Sequence, residues 1–150
     1  VVDITEDGFV LKGKYSYIYD KNTLNNKFTI DEGKKRKTES TFRKILDFPL
    51  FVGKKWYDQV DFVGSRTGHR KTHSIEYGVE GLEDIITPAG TFKAFRILAK
   101  VSELGYRFSG SMKYWYSPEV KFWVKQEYEK TEFWLRSEDA VLIRYKFKDK

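Results

Sequence analysis

Apolar and polar residues alternate with a period of two along most of this chain, the pattern of extended strands with one face buried. Phe9, Leu11, Gly13, Tyr15, Tyr17 and Tyr19 fall on one face, and Val10, Lys12, Lys14, Ser16 and Ile18 on the other. The same parity puts Phe95, Ile97, Ala99 and Val101 opposite Arg96, Leu98 and Lys100. It puts Tyr106, Phe108, Gly110 and Met112 opposite Arg107, Ser109 and Ser111. Further on, Val120, Phe122 and Val124 oppose Lys121, Trp123 and Lys125, and Val141, Ile143, Tyr145 and Phe147 oppose Leu142, Arg144 and Lys146.

Turn residues punctuate these runs at Glu6-Asp7-Gly8, Asp20-Lys21-Asn22, Asp31-Glu32-Gly33-Lys34, Thr87-Pro88-Ala89-Gly90, Ser117-Pro118-Glu119 and Ser137-Glu138-Asp139. The alternation predicts about ten to eleven strands. The best helix candidate is Lys37–Leu46, where Phe42, Ile45 and Leu46 have helical spacing and Ser40 or Thr41 can cap. Many short strands with at most one short helix predict an all-β fold, an antiparallel, strongly curved sheet approaching a half-barrel. Residues 1–150 form one β domain. The chain opens on Val1-Val2-Asp3-Ile4-Thr5, already a strand, which predicts a missing leader or upstream strand.

Composition changes this picture in two ways. Aromatic residues make up 17% of the chain, with 12 Phe, 10 Tyr and 4 Trp, so a curved sheet would carry bulky rings on its inner face. There is no Cys, which removes disulfides, thiolate chemistry and cysteine–zinc sites. No apolar run approaches the ~18 residues of a membrane helix. The net charge of +6 is concentrated. Residues 34–71 hold 11 Lys or Arg against 4 acids, a window of +7, whereas the rest of the chain sums to −1. Its densest part is the basic patch Lys34, Lys35, Arg36 and Lys37.

Candidate chemistry is sparse. His69 and His73 are the only histidines. Four residues apart on a strand they stand roughly 13 Å from one another, too far to share a metal. No Gly-x-Ser-x-Gly nucleophile turn occurs, and Ser109-Gly110-Ser111 lies within a strand pattern. Glu127, Glu129 and Glu132 offer carboxylates for acid–base work, but they alternate with Lys125, Lys130 and rings, as on a solvated strand face laced with ion pairs. Phosphate loops and glycine-rich dinucleotide motifs are missing. The chain therefore predicts no enzyme, no metal site and no cofactor. The basic patch reads either as a solvated hairpin tip or as a surface for an anionic partner, with a membrane leaflet as good a match as nucleic acid. Aromatics on both faces of Tyr114-Trp115-Tyr116, Phe122-Trp123-Val124 and Phe133-Trp134-Leu135 require cover on both sides, or else one set lines a ligand cavity.

Three segments together resemble a known group. They are Phe48-Pro49-Leu50-Phe51-Val52-Gly53-Lys54-Lys55-Trp56, the stretch Gly81–Ile97 around Pro88-Ala89-Gly90-Thr91-Phe92, and Tyr114-Trp115-Tyr116-Ser117-Pro118-Glu119-Val120-Lys121. In order and spacing they are similar to the bacterial envelope proteins called "domain of unknown function 3108" and close relatives. The resemblance covers residues 48–127, departs at Val120-Lys121-Phe122 where a glycine is expected after the valine, and carries a more basic loop at 64–71. It implies an exported protein, periplasmic or associated with the outer membrane, in some relatives a lipoprotein. It also implies a fold similar to the half-barrel of periplasmic lipoprotein carriers, with no catalytic residues to carry over. The leading expectation is a non-enzymatic envelope protein holding a lipid or other amphiphile against a concave aromatic face. Trp56, Phe95, Tyr106, Phe108, Tyr114, Tyr116 and Phe122 are the candidate ligand-binding residues. The alternative is a scaffold or protein-interaction module with a filled core, docking an envelope partner through an edge strand or the basic face.

Overall fold

The alternating segments are strands wherever the structure describes them; it is a computed structural model that describes residues 2–5, 8–12, 16–20, 24, 26–31, 34–37, 45–63, 68, 70–103, 109–129 and 140–142, so 13–15, 106–108 and 143–147 lie outside the described residues. The fold is all-β, and no helix occurs among the described residues. Five strands, β1 (Val2–Thr5), β2 (Gly8–Lys12), β3 (Ser16–Tyr19), β4 (Asn26–Asp31) and β5 (Lys34–Lys37), pair in chain order as one antiparallel sheet. Six more follow: β6 (Lys55–Val63), β7 (Arg70–Thr87), β8 (Gly90–Glu103), β9 (Ser109–Ser117), β10 (Phe122–Tyr128) and β11 (Ala140–Val141). They too pair with their chain neighbours, so both sheets are antiparallel meanders with open ends.

The single run read from Phe9 to Tyr19 is two strands. Phe9 pairs with Tyr19, Leu11 with Tyr17 and Lys12 with Ser16. An odd number of residues separates Lys12 from Ser16, so the same-face set survives the reversal and alternation cannot detect it. The helix candidate at 37–46 ends differently from expectation. Lys37 closes β5, Ile45 and Leu46 are buried but not helical, and 38–44 lie outside the described residues.

The longest element is the β7–β8 hairpin. Its turn is the predicted Thr87-Pro88-Ala89-Gly90, where Ala89 N–H donates to Thr87 Oγ1 (3.1 Å) and that hydroxyl donates to the Gly90 carbonyl (3.0 Å). Gly90 sits at φ 136°, a conformation that side chains resist. A bulge interrupts β7: Val79 faces Ile97, but Gly81 faces Arg96. One extra residue, Glu80, switches which side of the ribbon is buried. Before it, Ile75, Tyr77, Val79, Ile97, Ala99 and Val101 share a buried face. Beyond it, Phe92, Ala94 and Thr87 are buried on the opposite face.

Two corrections concern the C-terminal strands. Trp123 was expected on the polar side of its strand but is buried together with Phe122 and Val124. The turn after Ser117 runs through Lys121, whose φ is 56° and whose N–H donates to the Ser117 carbonyl (2.8 Å). A second register shift falls between Trp123 and Lys125. Val141 is exposed and Leu142 buried, the reverse of the expected parity. Tyr19 of β3 packs against the buried cluster formed mainly by the six-stranded sheet, its ring meeting Phe122 of β10 edge-on at 5.5 Å.

Candidate functional site

Register fixes which rings share a side of the six-stranded sheet. Trp56 pairs with Tyr77, Phe95 with Tyr116, Tyr116 with Trp123, and Tyr114 with Ile97 and Gln126. Paired residues point to the same face, so Trp56, Phe95, Tyr114 and Tyr116 are brought together there, as expected. Phe122 pairs with Ser117, next to Tyr116 in the chain, and so belongs to the other face. Tyr106 and Phe108 lie outside the described residues.

The gathered rings pack on one another. Trp56 stacks on Tyr77 with centroids 5.2 Å apart and planes at 11°. Trp123 sits 4.9 Å from Tyr114 and 6.0 Å from Tyr116. Phe48, arriving on the loop before β6, meets Tyr116 edge-on at 5.6 Å. Offset and edge-on pairs at these separations are favourable beyond simple area burial. The sequence reading missed Tyr77, Trp123 and Tyr128 as members of this face. The run Phe122-Trp123-Val124, three large apolar residues in succession, was the available signal for an irregular strand. Burial also raises the Tyr116 phenol above its ordinary value, because the phenolate would lose its hydration.

The motif Phe48–Trp56 is structural. Gly53, at φ 93°, donates its N–H to the Val79 carbonyl (2.8 Å), and Val79 N–H donates to the Lys54 carbonyl (2.9 Å). These bonds extend the β6–β7 pairing past Lys55. The Lys54 ammonium closes the loop, pairing with Asp47 Oδ2 (3.1 Å) and donating to the carbonyls of Asp47 and Pro49.

The opposite face carries a polar network beside the buried Phe92, Ala94, Trp115 and Phe122. Glu83 accepts from Trp115 Nε1 (2.6 Å) and from Arg96 Nη1 (3.2 Å), while Arg96 Nε reaches Glu80 (3.1 Å). Lys125 lies 4.7 Å over the Trp115 ring and pairs with Glu127. Glu129 accepts from Ser111 Oγ (2.6 Å). Of the three carboxylates singled out as acid–base candidates, Glu127 and Glu129 are thus held in surface contacts of the laced type, and Glu132 lies outside the described residues. A depression of about 130 Å³ lies beside them, lined by Ser111, Lys113, Glu127, Tyr128 and Glu129. None of the candidate ring residues lines it.

His73 is buried on β7, opposite Val60 and Glu103 in register, and His69 lies outside the described residues. Among the described residues no group of three or more His, Asp or Glu is placed to hold a metal, and no helix is long and apolar enough to cross a membrane. Lys34, Lys35, Arg36 and Lys37 are not a hairpin tip. They constitute the whole of β5, the outer strand of the five-stranded sheet. No known protein family, curated protein or solved structure matches the chain.

Proposed function

We propose that this chain is a non-enzymatic protein-interaction module with a filled core, not a carrier built around a ligand hollow. One observation carries the reading: Trp56, Tyr114, Tyr116 and Phe122, four of the rings expected to line a ligand site, are 1–7% exposed and packed against other rings. Apolar surface is offered elsewhere. The β7–β8 ribbon runs past the end of β6, and the outer edge of residues 80–87 has no strand partner among the described residues. Leu82 and Ile86, on one face of that ribbon, are 46% and 83% exposed. An edge with free backbone groups and apolar side chains suits addition of a partner strand. The resemblance supports an envelope location, which cell fractionation tests.

Two measurements decide between module and carrier. Native mass spectrometry of the purified protein is expected to give the bare chain mass. Titration with oleate, phosphatidylglycerol or a lipopeptide is expected to leave tryptophan emission unchanged. A photo-crosslinking residue at Ile86 is expected to capture a discrete envelope protein, and the same group at Lys100 is not. A co-purifying amphiphile that quenches tryptophan overturns the reading.

A further inference from the structure

We propose that the β7–β8 ribbon, at Leu82, Asp84 and Ile86, takes an extended segment of a partner protein that carries an aliphatic residue, a cation and an aliphatic residue at alternate positions. This rests on the interaction-module reading and names the chemistry of the strand that the module adds. Leu82, Asp84 and Ile86 are each two residues apart on β7, so they share a face, and that face reads apolar, acid, apolar. All three are presented to solvent: Leu82 is 46% and Ile86 83% exposed, and the Asp84 side chain 66%. Their register partners on β8 are Phe95, Lys93 and Thr91. Lys93 stands 3.9 Å from Asp84 with its side chain 68% exposed, a surface pair that leaves the carboxylate accessible to a second cation.

The Leu82 end of this face continues the buried row of rings. Leu82 pairs with Phe95, Phe95 with Tyr116 and Tyr116 with Trp123, and exposure falls to 7% and 4% at the last two. An aliphatic side chain set beside Leu82 extends that packing by one strand. The chain preceding β6 does not supply it. Gly53 and Lys54 bond to Val79, Lys54 N–H turns back to the Phe51 carbonyl (3.1 Å), and Phe48 lies against Tyr116.

The acid in the middle selects the occupant. A bilayer that takes up Leu82 and Ile86 takes up Asp84 with them, and moving a carboxylate into apolar surroundings is costly. A second copy fares no better. The two-fold antiparallel register that pairs Leu82 with Ile86 across an interface also pairs Asp84 with itself, and like charges directly opposite destabilise a sheet. A strand with Lys or Arg opposite Asp84, and Val, Ile or Leu opposite Leu82 and Ile86, satisfies all three positions.

The probe is a fluorescent peptide whose centre reads Ile-Thr-Lys-Thr-Ile, with serines at both ends, followed by anisotropy on the full chain. Four results are expected. Glutamate in place of the peptide's lysine weakens binding about fivefold or more, as one cross-strand attraction becomes a repulsion. Asp84→Lys reverses the preference, so that the glutamate peptide binds this variant more tightly than the lysine peptide does. Ile86→Ser weakens the lysine peptide about tenfold or more through lost apolar burial. N-methylation of one alternate set of peptide amides weakens binding about tenfold or more, and of the other set does not, because only one set faces the ribbon.

Equal binding of the lysine and glutamate peptides, equal binding of the two N-methylated peptides, or no peptide binding overturns the proposal and leaves the interaction module standing; a co-purifying amphiphile removes the module itself. Phosphatidylcholine vesicles that hold the chain but release Ile86→Ser put a bilayer on the face, and a dimer in sedimentation that Ile86→Ser dissolves puts a second copy there; either overturns the proposal. Circular dichroism checks the β signature of both variants. If either does not fold, the glutamate and N-methylated peptides on the unmodified chain decide alone.

Discussion

Truncating Trp56 to alanine separates a packed ring from one that borders an empty space. Trp56 is 6% exposed, and its indole lies flat on Tyr77, itself 1% exposed. Removing such a ring from a filled core costs about 3–5 kcal/mol, the transfer free energy of the lost atoms plus the cavity they leave. Loss of the stacked pair belongs within that sum. β6 is the outer strand of its sheet, so the site relaxes or admits water more easily than a central one, which favours the low end, about 3 kcal/mol. For a chain of this size the melting temperature should fall by roughly 6–12 °C.

The assay is urea unfolding followed by circular dichroism, with Trp56→Ala beside the unmodified chain and midpoints compared at equal slope. Indole provides the second arm. A cavity of its own shape should bind it, and free indole at tenfold over its Kd returns about 1.4 kcal/mol to the variant and nothing to the unmodified protein. A ring at the wall of a preformed hollow behaves otherwise, because its truncation only widens a space that exists already. A loss below about 1 kcal/mol, the scale of ordinary surface changes, with no indole rescue, refutes the filled core.

Gly90→Ala should cost about 1–3 kcal/mol through backbone strain at φ 136°, since the added methyl would meet Phe92 only at ordinary contact distance; an unchanged melting temperature contradicts this. Trp115→Phe removes the donor to Glu83 at 2.6 Å and should lose about 1 kcal/mol, because Arg96 still serves the carboxylate. A double-mutant cycle with Glu83→Ala, which removes the acceptor, checks it, and strictly additive losses would show the bond contributes nothing. The folded state holds the Tyr116 proton more tightly than the unfolded state does, so stability is intact below the ordinary tyrosine value near 10 and declines as pH rises past it. Urea midpoints taken at pH of about 9 and about 11 should converge for Tyr116→Phe relative to the parent.

The class of this fold was readable because alternation is a direct consequence of extended backbone. Pro88 and Gly90 marked the longest hairpin, since fixed and positive φ are written in residue type. Strand boundaries within an in-phase run were hidden, as at Lys12–Ser16, because an odd connection preserves parity. The hairpin-tip reading of the basic patch, one of two left open, fails for a related reason. Charge alone does not tell a solvated turn from an outer strand, and only the pairing of Lys37 with Phe28 does so.

Candidate sites read from parity inherit every error in phase. Glu80 adds one residue to β7, and the buried side of the ribbon changes there from that of Ile97 to that of Phe92; the irregularity after Trp123 instead puts Gln126, three residues on, on the same face as Trp123. Gly81, a glycine inside a strand, hinted at the first shift; three successive large residues hinted at the second. Phe122 entered the ring set in phase with Tyr114 and Tyr116 and left it once the turn through Lys121 reset the count, while Trp123 took its place between those two tyrosines. A period of two says that rings lie on a face. Whether that face encloses a ligand or closes on itself depends on what stands opposite, and opposite Trp56, Tyr114 and Tyr116 stand other rings. With those rings packed on one another, exposed apolar side chains remain on the β7–β8 ribbon, at Leu82 and Ile86.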